Sequence, residues 1–151
     1  MRVRCVSNVE SKKKINSDGL KTVSYDLGVG TEYVVYGMTF WGGSLDYLVL
    51  GDSGIPSLYP AELFKVVNHL VPLVCFFNFE TYKNYKGENS QIATWGYREM
   101  INDSQHYIEL MEGKQKAIDI FFKRKRKIDE YEDLCRCSCK KKVCNSSEMF
   151  Q

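Results

Sequence analysis

The chain reads as an α+β domain, with strands first and helices after them. Three observations carry that expectation. Residues 1–95 are rich in short alternating runs of β-branched and aromatic residues separated by glycine turns. From 96 to 134 the spacing of apolar residues changes to that of helices. No period of repetition and no low-complexity linker divides the 151 residues, whose length suits one domain with its own core.

The N-terminal run Arg2–Asn8 alternates well enough for a first strand, and residues 10–19 read as a polar loop. A second strand is expected over Lys21–Leu27, ended by Gly28 and Gly30. The organising stretch is Tyr33–Pro60. Here Tyr33–Phe40 and Leu45–Leu50 form a hairpin around Trp41-Gly42-Gly43-Ser44, whose glycines supply the positive φ that a tight turn needs. Gly51-Asp52-Ser53-Gly54 closes the second of these strands, and Pro56 and Pro60 restrict the loop that follows.

Pro60 suits a helix start, and Leu63, Phe64, Val67 and Leu70 lie on one helical stripe before Pro72, so a short inserted helix is expected over 60–70. The continuous apolar run Leu73–Phe79 predicts a strand buried on both faces. Residues 80–90 read as a loop and Ile92–Trp95 as a last short strand. Three helical pieces follow, Tyr97–Ile101, Ser104–Met111 with Asn102 or Asp103 as cap, and Lys114 to about Leu134. In the last piece Ala117, Ile118, Phe121, Phe122, Ile128 and Tyr131 share a face. The architecture expected is a strongly bent antiparallel sheet or small barrel of about five strands with a C-terminal helical segment. Residues 135–151 form a Cys- and Lys-rich tail outside a single domain of 1–134, expected to be flexible.

Charge is nearly balanced, 21 basic against 19 acidic side chains, so no global field recruits nucleic acid or an anionic membrane. Locally, residues 114–142 hold 11 basic and 5 acidic side chains. The run Lys123-Arg124-Lys125-Arg126-Lys127 offers cations to phosphates or an acidic protein, although Asp129, Glu130, Glu132 and Asp133 follow at pairing distance along the helix. No apolar run is long enough for a membrane span, and the first residues lack a signal-peptide core, so a cytoplasmic protein with reduced thiols is expected.

Candidate chemistry is sparse. Gly51-Asp52-Ser53-Gly54-Ile55-Pro56 mimics the nucleophile segment of trypsin-like proteases. Both histidines, His69 and His106, follow the serine rather than preceding it, so Ser53 reads as a turn residue. The cysteines at 135, 137, 139 and 144 lack the second ligand pair of a tetrahedral zinc site. Cys75 reads as a small buried hydrophobe, and the histidines as capping or surface residues. No catalytic residue, cofactor or metal is expected. Large aromatics on loops are favoured interface anchors, so Trp41 and Tyr59 are candidate partner contacts, with Asp46 and Asp52 as acidic complements to a basic partner. Lys123, Arg124 and Arg126 are the candidate contacts of the basic helix.

The pattern from Leu27 through Tyr33, Val35, Tyr36, Gly37 and Phe40, then a glycine turn, a strand and Tyr59-Pro60-Ala61-Glu62-Leu63-Phe64, resembles a loose group of small bacterial cytoplasmic proteins. Their fold looks like a Src-homology-3-like barrel with added helices. In style the group is similar to immunity proteins encoded beside polymorphic or contact-dependent growth inhibition toxins. That resemblance implies a non-enzymatic protein whose partner is a cognate toxin domain, and it transfers no catalytic residue. The alternative is a small-barrel nucleic-acid binder using the basic face at 123–127.

Overall fold

The computed structural model describes residues 1–13, 20–83 and 86–146, with side chains described for 1–9, 22–83 and 86–134. Among them are β1 Arg2–Cys5, β2 Val9–Lys13, β3 Leu20–Ser24, β4 Glu32–Val34, β5 Gly37–Trp41, β6 Ser44–Leu50 and β7 Pro56–Pro60. A 3₁₀ turn at Ala61–Leu63 precedes β8 Phe64–Asn68, β9 Phe76–Lys83 and β10 Asn89–Gly96. Three helices follow among the described residues, α1 Arg98–Asn102, α2 Ser104–Met111 and α3 Gln115–Ser146. The α+β class stands. In place of one bent sheet or closed barrel there are antiparallel sheets in the orders β4-β1-β8 and β7-β6-β5-β10-β9, with β2-β3 as a separate hairpin.

The stretch read as one strand, Tyr33–Phe40, is divided between the two larger sheets. Tyr33 pairs with Val3 in the three-stranded sheet, and Gly37 pairs with Leu48 in the five-stranded one. Between them Val35 N–H donates to Met1 O at 3.0 Å and Tyr36 N–H to Leu48 O at 2.9 Å. The backbone changes partners at that corner, so pattern alone sees no break. The hairpin itself forms as expected, with Gly42 and Gly43 at φ 59° and 84° between the paired Trp41 and Ser44.

The five-stranded sheet is the middle layer. Tyr47 and Val49 of β6 face the three-stranded sheet, where they pack with Val3, Cys5, Tyr33, Tyr59 and Phe64. Leu48, between them, faces the helices and packs with Tyr97, Met100, Leu110, Phe121 and Ile128. Thus β6 is the strand buried on both faces. Leu73–Phe79 is not: β9 lies at the sheet's edge, and Phe76, Phe77 and Phe79 are all exposed. An apolar run by itself does not distinguish a central strand from an edge strand whose neighbour is missing.

Two further expectations are corrected. The inserted helix over 60–70 exists only as the 3₁₀ turn, after which Phe64–Asn68 pairs with β1. A stripe at i, i+4 and i+7 matched a helix, but the β-branched pair Val66-Val67 and the free side of β1 favour the ladder. The loops read at 10–19 and 80–90 contain strand instead, Val9–Lys13 in the first and β9 to β10 across Gly87 (φ 77°) in the second. Residues 14–19 and 84–85 lie outside the described residues.

The helical half follows the sequence closely. Asp103 caps α2, its carboxylate accepting from the N–H groups of Gln105 and His106 at 3.0 and 3.1 Å. In α3, Ala117, Phe121, Ile128 and Glu132 are buried on one face, whereas Phe122 is partly exposed. Its backbone remains helical to Ser146, past the boundary drawn at 134; the side chains of Cys135, Cys137, Cys139 and Cys144 lie outside the described residues. No described helix is long and apolar enough to cross a membrane.

Candidate functional site

Among the described residues, one face of the five-stranded sheet brings the candidates Trp41 and Asp46 together beside a cleft. Register decides which side chains share it: Asn78, Thr94, Thr39 and Asp46 form one cross-strand row, and Glu80, Ile92, Trp41 and Ser44 form the next. α1 and α2 cross above this face. Between sheet and helices lies a cleft of about 380 Å³, with Asn78, Glu80, Ile92 and Thr94 below and Met100, Asn102, Tyr107 and Ile108 among the residues above. Gly37 and Gly96, directly paired, make room for Met100: a Cβ on either would come within 2.6 Å of its sulfur.

Polar groups are organised around the cleft. Asn78 Nδ2 donates to Glu80 Oε1 at 2.7 Å, which orients an exposed carboxylate at the sheet edge. Trp41 Nε1 donates to the Tyr82 hydroxyl across the intervening β10, and the indole stays 57% exposed. Burial pushes the Tyr107 phenol up, Thr39 beside it opposes that rise, and the nearby Asp46 charge adds to it. The surface combines one oriented carboxylate, a second acid and a tethered indole. It suits a cationic side chain that also needs an aromatic face.

Of the residues singled out in the sequence, Trp41 and Asp46 belong to this face. Asp52 and Tyr59 do not. Asp52 accepts from the Tyr33 hydroxyl at 2.5 Å, while that oxygen accepts from Gly28 N–H at 2.7 Å, so the acid closes a loop. Burial, first, and that bond to Asp52 push the Tyr33 phenol up to about 12. Tyr59 is in strand β7 rather than on a loop, and at 5% exposure it is core, edge-on to Tyr25. The basic run is partly spent within the fold. Arg124 holds Glu99 through Nε at 2.7 Å and through Nη2, and Lys125 pairs with Asp129. Lys123, Arg126 and Lys127 remain exposed.

Glu80 and Tyr82 were missed because residues 80–90 read as loop, and Asn78 because Leu73–Phe79 read as a strand buried on both faces. The signal was present as alternation in Phe77-Asn78-Phe79-Glu80, polar on one face and aromatic on the other. Ser53 sits in a turn with its N–H donating to Asp26 at 2.7 Å; its bonds to Asp26 hold that carboxyl below the usual range. His69 is exposed beyond β8, where no helix exists for it to cap. Among the described residues no group of three His, Cys, Asp or Glu side chains is placed to hold a metal ion.

His106, expected at the surface or as a cap, is buried on α2, with Nε2 2.8 Å from the Tyr97 hydroxyl. Burial lowers its pKa below 6.5 despite the opposing pull of Asp103, Glu99 and Glu109. The neutral ring is therefore favoured by folding. This contribution is complete above the ordinary imidazole pKa and is lost as pH falls through it toward the depressed folded value. The urea midpoint is expected to drop between about pH 7.5 and about pH 5, and His106→Asn should flatten that drop. An equal drop in the variant would assign the pH dependence to other groups.

Fold and site together define an α+β domain with an open sheet edge and an acidic, aromatic cleft beside it. No family model, curated protein or solved structure matches the chain.

Proposed function

We propose that this chain is a non-enzymatic protein-binding protein, and most concretely an immunity protein that binds and neutralises a cognate bacterial toxin. The observation that carries the reading is this sheet face, where Glu80, oriented by Asn78, lines the cleft and the exposed Trp41, tethered by Tyr82, stands beside it in the same cross-strand row. A tethered aromatic loses little freedom when a partner covers it, and acids beside it select a basic partner surface. Toxins that act on nucleic acids carry such basic surfaces, and occluding one requires shape and charge but no chemistry.

The test is binding of the purified chain to the toxin domain encoded beside its gene. Trp41→Ala and Glu80→Lys are each expected to weaken that complex by about tenfold or more while leaving the thermal melt unchanged. A gene neighbourhood without a toxin, together with no stoichiometric partner surviving high salt, would refute the reading. Retention of RNA or DNA that disappears as salt rises would move the function to Lys123, Arg126 and the rest of the basic helix.

A further inference from the structure

Among the described residues the edge strand β9 has no lateral neighbour, and its own sequence supplies one. Successive side chains of a strand point to opposite faces, so Phe76 and Phe77 look in opposite directions. Both are about half exposed, at 47% and 54%, and Phe79 is at 52%. Exposure on both faces at once has a common geometric cause, an empty position beside the strand. The two edges of this sheet also differ. β7 begins at Pro56 and ends at Pro60, which blunt it against further pairing, whereas β9 runs in unbroken register with β10 over eight residue pairs and contains neither proline nor bulge.

We propose that a second copy of this chain pairs antiparallel with β9, about a two-fold axis at Phe79, joining two five-stranded sheets into one of ten strands. Such an axis stands perpendicular to the sheet and preserves its faces. Phe79 then lies against Phe79 of the second copy, and Phe77 against Thr81. Glu80 meets Asn78, the residue that already donates to it within the chain at 2.7 Å. An axis one residue further on would oppose Glu80 to Glu80, which like-charge repulsion disfavours. Area agrees: the exposed parts of Phe76, Phe77 and Phe79, with Leu73 at 86%, amount to on the order of 400 to 500 Å² of apolar surface. A stable interface takes about 800 Å² from each partner, rather more than half of it apolar. Both clefts open on the same side of the joined sheet, so pairing and partner binding coexist.

Sedimentation equilibrium of the full chain from about 1 to about 100 µM is expected to give twice the monomer mass at the upper end. Phe79→Lys and Phe79→Glu, each placing like charges across the axis, should each be monomeric, and their equimolar mixture should recover the dimer. Wild-type protein that stays monomeric throughout overturns the proposal and leaves β9 to a strand of another protein. So do variants that both remain dimeric, or a mixture that stays monomeric. Should either variant fail to fold, amide exchange on the wild-type chain decides: β9 amides must become protected as concentration rises, and unprotected β9 amides in a dimer refute the seam.

Discussion

Phe121→Ala is expected to destabilise the domain by about 3 to 5 kcal/mol, the range for emptying a buried phenylalanine site. Phe121 is fully buried at the middle of the helix-facing core, edge-on to Tyr36 at 5.2 Å and to Tyr97 at 6.3 Å between ring centroids. Those tyrosines cannot collapse into the space left behind. The Tyr36 hydroxyl donates to Asp129 at 2.9 Å, and that of Tyr97 is bound to His106. The lost burial therefore comes with a cavity. A fall in melting temperature of roughly 10 °C is the readout. A change equivalent to less than about 1 kcal/mol would mean that α3 does not pack on the sheet through this residue.

Glu132→Ala is expected to cost a similar amount, about 3 to 5 kcal/mol, for an electrostatic reason. Its carboxylate is 1% exposed, pairs with the Met1 ammonium and lies 3.7 Å from Arg2 Nε. This contact ties the middle of α3 to the residue that precedes β1, across 131 positions of sequence. Removing the acid leaves an ammonium and a guanidinium in a desolvated place without their counter-charge, which costs more than the pair contributes by existing. The surface pair Arg4–Glu32, at 2.7 Å and half exposed, is the control: Glu32→Ala should cost only about 0.2 to 1 kcal/mol. Equal losses for the two variants, measured by urea melts, would show that Glu132 is not buried against β1.

Pairing along β9 and binding in the cleft make separable demands on one strand. Phe77 and Phe79 point away from the cleft, while Asn78 and Glu80 line it. Charge placed at Phe79 is thus a probe of pairing, whereas charge placed at Glu80, which also meets Asn78 of the second copy, is a probe of binding at concentrations where the chain is monomeric.

Legibility of the fold tracked how local the deciding interaction was. The β5–β6 turn was readable because two adjacent glycines at positive φ are a requirement of the turn itself. The start of α2 was readable because Asp103 caps it from the next position along. Phe64–Asn68 was misread because its strand state depends on β1, about sixty residues earlier, whose backbone groups need partners. Tyr59 was misplaced for a related reason: two flanking prolines suggested a loop, whereas β6 holds the segment as an edge strand and turns the ring into the core.

By itself, the sequence determined the order of strands before helices, the central hairpin, the capped helix and the amphipathic face of α3, all set within a few residues of chain. Tertiary structure alone decided which strand became central and which an edge, where the chain crosses from one sheet to the other, and that Trp41, Asp46 and Glu80 share a face. The physical reason is register. Cross-strand neighbours are chosen by hydrogen bonds between segments distant in sequence, and a shift of one residue would send each of these side chains to the opposite face.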